Sequence, residues 1–107
     1  GLAVHLALTA MSGELGMDVD FSRIPGADAL TPSQGLYSES CGRFIITVAP
    51  DRQERFEAIF SKLNIGRIGT TTESPMFIIR DDAGVPLVRE NIAELKGSWK
   101  RPFGELI

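Results

Sequence analysis

The residues best equipped for chemistry lie together in the run Tyr37-Ser38-Glu39-Ser40-Cys41-Gly42-Arg43. Serine hydroxyls and free backbone N–H groups can hold an anion, glycine lets a ligand approach the backbone, and arginine offers a two-pronged donor that matches phosphate. The same residue types also make ordinary loops. The run by itself therefore leaves an anion site and a plain loop both open. Cys41 is the only cysteine. A nucleophilic thiol needs a neighbouring base or cation to lower its pKa. Arg43 can supply charge, but the single histidine, His5, is not placed beside it by anything in the sequence. Cys41 reads as a plain thiol, and no catalytic residue is assigned.

Two further groups invite a chemical reading. Asp18 and Asp20 share one face of a predicted strand and could hold Mg²⁺ or share a proton. Strand alternation already accounts for both of them, and a solvated face is the simpler reading. Asp81-Asp82 is turn chemistry. With one histidine and one cysteine, a zinc site has too few ligands, and no metal site is assigned. The chain start, Gly1-Leu2, opens a predicted helix. The unpaired N–H groups and dipole of a helix N-terminus suit a phosphate, although every helix has such an end.

The elements that must position these groups follow from periodicity and punctuation. Val4, Leu8, Met11 and Leu15 repeat at helical spacing and predict one buried stripe, with His5, Thr9 and Ser12 on the other face. Gly13 and Gly16 end this helix. Met17 to Phe21 alternates apolar and acidic residues, as a half-buried strand does. Ser22 to Gly35 is a connector with a short helical turn starting at Thr31-Pro32. Phe44-Ile45-Ile46-Thr47-Val48 is almost wholly apolar and predicts a central strand covered on both faces. A second helix opens at Pro50-Asp51, with Asp51 and Glu54 in capping-box spacing and Phe56, Ile59, Phe60 and Leu63 as its buried stripe. Asn64 or Gly66 is placed to take a left-handed cap. Ile65 to Thr72 and Met76 to Arg80 read as strands. The turn Asp81 to Gly84 leads into a return strand, Val85 to Val88, which Pro86 marks as an edge. Asn91 caps a last helix with Glu94 in the box position and Ile92, Leu95 and Trp99 on one face. The expected class is α+β: a single mixed sheet of about four to five strands with helices packed on it.

The chain has 107 residues, one domain's worth, with a formal net charge of −3. That mild acidity gives no basic footprint for nucleic acid or an anionic membrane. Hydrophobic residues make up 43% and charged residues 23%, which excludes disorder as the main state. A single cysteine excludes an internal disulfide framework and fits a reducing compartment. No apolar run approaches the roughly 20 residues that span a bilayer. The first helix begins at residue 1 with nothing ahead to cap it, which predicts a piece of a longer chain.

Several of these segments, in order, resemble one family. Gly1-Leu2-Ala3-Val4-His5-Leu6-Ala7-Leu8-Thr9-Ala10-Met11 resembles the segment that follows a Ser-Asp-Gly tripeptide in the synthetase subunit of phosphoribosylformylglycinamidine synthase. Leu36-Tyr37-Ser38-Glu39-Ser40-Cys41-Gly42-Arg43-Phe44 resembles that family's Leu-Phe-Ser-Glu-Ser-x-x-Arg-Phe stretch, the most specific of the matches. Ile65-Gly66-Arg67-Ile68 resembles its Ile-Gly-x-Val strand, and Ile92-Ala93-Glu94-Leu95-Lys96-Gly97-Ser98-Trp99 its terminal Leu-x-x-Trp helix.

The resemblance implies the carboxy-terminal domain shared with aminoimidazole ribonucleotide (AIR) synthetase, with a ferredoxin-like relationship, as residues 1–107 of a longer multidomain enzyme. It implies an ATP-dependent ligase of purine biosynthesis that converts formylglycinamide ribonucleotide to its amidine, with this segment inactive alone. ATP and Mg²⁺ are expected mainly on domains outside it. The implied partners are the amino-terminal domains of its own chain, glutaminase and small accessory subunits, and a phosphorylated small-molecule substrate, in the cytoplasm, with no nucleic acid or membrane. Gly1, Ser38, Ser40 and Arg43 become the candidate substrate-binding residues. Arg43 could instead anchor Glu39 as an ion pair, and Cys41 stands where the family often has proline. The alternatives are another AIR synthase-related kinase or synthetase, or a non-catalytic α+β interaction module.

Overall fold

A computed structural model describes residues 1–106. Helix α1 (Leu2–Gly13) is followed by strand β1 (Gly16–Asp20) and by two 3-10 turns, Phe21–Arg23 and Ala27–Ala29. Helix α2 (Pro32–Tyr37) comes next, and then a loop and extended segment reach a 3-10 turn at Pro50–Arg52 and helix α3 (Gln53–Ile59). Strands β2 (Gly69–Thr72), β3 (Met76–Arg80) and β4 (Pro86–Asn91) precede helix α4 (Ile92–Lys100) and a final 3-10 stretch, Arg101–Leu106.

The four strands form one sheet in the order β2-β1-β3-β4. β1 pairs antiparallel with β2 and parallel with β3, and β3 pairs antiparallel with β4, so the sheet is mixed as expected. The register sets Met17 opposite Phe77 and Val19 opposite Ile79. Those four side chains share one face and are buried with Leu2, Ala3, Leu6 and Ala10 of α1 and Ile92 of α4. Asp18, Asp20, Ile78 and Arg80 occupy the other, half-exposed face. Gly69 interrupts an otherwise β-favouring run because β2 approaches β1 so closely that a Cβ there would strike the Asp18 carbonyl.

Several expectations need correction. The buried stripe of α1 is Leu2, Ala3, Leu6 and Ala10, whereas Val4 is 48% exposed and Leu15 lies beyond the helix at the surface. Apolar residues surround this helix on nearly every side, so spacing alone does not single out the face that meets the sheet. Its left-handed cap falls on Glu14 (φ 54°) and not on a glycine.

Phe44–Val48 does not join the sheet, and Phe44 is 83% exposed. In α3, Ile59 is 64% exposed and Leu63 lies exposed beyond its end, while Phe56 and Phe60 pack on each other with ring centroids 4.8 Å apart. The expected stripe is therefore only partly covered. Asp51 makes no cap, because the chain enters α3 through the Pro50–Arg52 turn. Neither Asn64 nor Gly66 takes a left-handed conformation. The strand expected from Ile65 shortens to Gly69–Thr72, and Trp99 is exposed.

The remaining punctuation holds. Thr31 and Gln34 form a reciprocal capping box at α2, and Asn91 Oδ1 accepts the Ala93 N–H at 2.8 Å to start α4. Asp81 Oδ1 accepts the Ala83 and Val85 N–H groups in the β3–β4 turn, where Gly84 has φ 81°. β4 is an edge strand and begins at Pro86.

Candidate phosphate-positioning edge

The candidate edge is built where α1 begins and α2 ends. Gly1 is the N-cap of α1, its carbonyl accepts the His5 N–H at 3.2 Å, and no side chain caps the helix. The next two residues, Leu2 and Ala3, are buried. A Cβ on Gly1 would lie 2.7 Å from Tyr37 Cα and 2.8 Å from the Leu36 carbonyl oxygen. Only a residue without a side chain lets the first turn of α1 sit this close to the last turn of α2.

The capping box fixes where α2 begins. Thr31 Oγ1 accepts the Gln34 N–H at 3.3 Å, and Gln34 Oε1 accepts the Thr31 N–H at 3.0 Å. Leu36 is buried, which holds the helix against the core. Ser38 is the C-cap residue, and its N–H donates to the Gln34 carbonyl at 3.0 Å. The chain then leaves in an extended conformation, turns through Gly42 (φ 79°) and reaches Arg43.

The structure thus brings Gly1 beside the start of the Ser38–Arg43 loop, although the two are far apart in sequence. Ser40 and Cys41 are exposed on that loop. Arg43 is half-buried and folds back so that Nη1 donates to the Gly35 carbonyl at 3.5 Å. It forms no ion pair with Glu39 among the described residues. Arg43 ties the end of the loop to α2 through this one long contact.

The carboxylates on the open sheet face are engaged by structure. Asp18 accepts from Arg80 Nε at 3.2 Å. Asp20 accepts the Ser22 hydroxyl at 2.6 Å and the Ser22 N–H at 2.9 Å, and Arg23 lies 3.6 Å from it. The Ser22 hydroxyl, above all, with its backbone N–H and the Arg23 charge, holds the Asp20 carboxyl below the usual aspartate value, against an opposing desolvation effect. This capping role for Asp20 is one that strand alternation did not reveal, although the spacing Asp20-x-Ser22 at a strand end is its sequence signal. No group of three or more His, Cys, Asp or Glu side chains suited to a metal occurs among the described residues. No helix among them is long and apolar enough to cross a membrane.

Comparison with known proteins settles the family. The family described as AIR synthase related protein, C-terminal domain, matches residues 1–82, which include the whole edge. The chain belongs to this family. Curated relatives described as phosphoribosylformylglycinamidine synthase subunit PurL are similar to it. The protein from Thermococcus sibiricus is 41% identical over 69 residues, covering 64% of this chain and 10% of the relative. That from Limosilactobacillus reuteri is 36% identical over 100 residues, covering 94% and 12%. That from Thermococcus kodakarensis is 34% identical over 106 residues, covering 98% and 14%. The chain thus spans only about a tenth to a seventh of the length of these relatives. No solved structure matches it.

Proposed function

We propose that this chain is the carboxy-terminal domain of an ATP-dependent phosphoribosylformylglycinamidine synthase, and that its α1–α2 edge positions the phosphate of formylglycinamide ribonucleotide. In the reaction, ATP phosphorylates the glycinamide carbonyl oxygen, releasing ADP, and ammonia from glutamine displaces that oxygen as phosphate to leave the amidine, with the formyl group untouched. The observation that carries the reading is the contact of Gly1 with Leu36 and Tyr37, within the stretch that matches the family. It sets the open N–H groups of a helix start beside a loop carrying two hydroxyls and a guanidinium. Such an edge serves catalysis by orientation and supplies no acid or base.

Asp18 and Asp20 do not fit a Mg²⁺ site, since they are held by Arg80 and by Ser22 with Arg23. In this reading ATP and Mg²⁺ bind to the rest of the parent polypeptide, and glutaminase and accessory subunits assemble there. A sister synthetase acting on another phosphorylated substrate would use the same edge. The shared name of the relatives favours the first substrate.

The test is steady-state kinetics of the parent enzyme. Ser40→Ala and Arg43→Ala should each raise KM for formylglycinamide ribonucleotide about tenfold, as expected for one lost charge-assisted hydrogen bond. KM for ATP should not move. An unchanged nucleotide-substrate KM in both variants would overturn the assignment. The 107-residue chain alone should give no turnover with the substrate, ATP, Mg²⁺ and ammonia.

A further inference from the structure

Residues 43–48 lie outside the sheet and belong to no helix or strand. Ile45 is half-buried and packs against the core, whereas Phe44, Ile46, Thr47 and Val48 are exposed, with Ile46 59% exposed. Among the described residues, no backbone N–H or carbonyl from Arg43 to Val48 makes a hydrogen bond. Beside this segment, Ile46, Val48, Phe56 and Ile59 line an open apolar groove of about 370 Å³ whose rim carries Arg52 and Arg55. Neither arginine belongs to an ion pair among the described residues. A β-favouring segment with its backbone groups free and an apolar groove alongside is a template for strand addition.

The surface area indicates how permanent the occupant is. The chain exposes 7738 Å². A self-contained monomer of its mass, 11.6 kDa, would expose about 5,800 Å². The excess of about 1,900 Å² is more than twice the ~800 Å² per partner of a standard interface and falls in the obligate range. The relatives are roughly six to eight times the length of this chain, so the same polypeptide can supply a permanent partner.

We propose that Arg43–Val48 is completed as a β-strand by a strand from the remainder of the parent polypeptide. That strand lays apolar side chains over Phe44, Ile46 and Val48 and sets a carboxylate against Arg52 and Arg55. The proposal rests on the reading that the chain is one domain of a longer synthase, but its test reads contacts and not turnover.

The experiment uses the full-length parent enzyme with the photo-crosslinker p-benzoylphenylalanine in place of Phe44, followed by peptide mapping. The expected product joins position 44 to a peptide outside these 107 residues, within the same chain. A cross-link confined to residues 1–107 of the same chain, as would arise if the segment closed on the free edge of β2, overturns the proposal. So does a cross-link between two copies. Amide hydrogen exchange supplies a second readout. The amides of Ile45 to Val48 should exchange at least 100-fold slower than in an unstructured peptide, and Ile46→Asp should abolish that protection while β1 and β3 stay protected. Exchange of these amides at unstructured rates in the unsubstituted parent also overturns it. A synthase reading that failed on substrate kinetics would leave the cross-link unchanged, so the two failures are distinguishable.

Discussion

At the scale of single residues, polar side chains in this domain serve mainly to end one element and begin the next. Asp20 closes β1 by accepting both Ser22 donors, and its carboxyl is held below the usual value as a result. A carboxyl with a depressed folded-state pKa adds stability above its unfolded pKa, about 3.9, and loses it as pH falls through the lower folded value. Asp20→Asn keeps an acceptor for Ser22 and removes the charge. Urea unfolding should therefore show the variant less stable than the parent domain at pH 6, with the gap closing as pH falls below the unfolded aspartate value. A gap that stays constant across that range would mean the charge contributes nothing. The role of Asp20 was only half legible in the sequence. Alternation placed it on the exposed face, but its cap depends on where the strand stops, and boundaries are set by hydrogen bonds rather than by hydropathy.

At the scale of elements, the legible features were those with a local cause. Thr31-Pro32, Asn91 before Ile92, and the Asp81–Gly84 turn each carry their own capping or turn chemistry, and each forms where it was expected. The face of α1 was not legible, because Val4 and Leu8 are as apolar as Leu2 and Leu6 and only the sheet beneath decides between them. Truncation separates the two faces. Leu6→Ala removes a side chain that is 1% exposed and should cost about 2–5 kcal/mol, whereas Val4→Ala should change stability by less than about 0.5 kcal/mol. Chemical denaturation with equal m-values measures both, and equal losses would contradict the assigned face. The segment Phe44–Val48 failed for a related reason. An apolar β-favouring run states that something must cover it, and it does not state which molecule region does so. The candidate edge was legible as two separate pieces, Gly1 and Ser38 to Arg43. Their contact through Tyr37 required the fold.

At the scale of the whole molecule, the shape is extended for its size. The Cα radius of gyration is 14.7 Å, against about 13 Å for a compact domain of this length. Large apolar side chains, among them Phe44, Ile46, Ile59 and Leu63, lie exposed on its surface. Replacing Phe44 and Ile46 together by serine in the 107-residue chain should leave its unfolding free energy within about 0.5 kcal/mol while raising the concentration at which it stays monomeric. Sedimentation velocity alongside urea unfolding tests this. A large loss of stability would show that these side chains already support the isolated fold.

The parallel pairing of β1 with β3 has a consequence for how the protein is made. Asp18 sits opposite Ile78, so the middle strand of the sheet meets its parallel neighbour only after some sixty further residues have left the ribosome. At about 5–20 residues per second, β1 waits roughly 3–12 s with its apolar face uncovered by the sheet. During that interval α1, already synthesised and apolar on nearly every side, is the nearest shelter for Met17 and Val19, which makes this first helix a nursery for the strand that follows it.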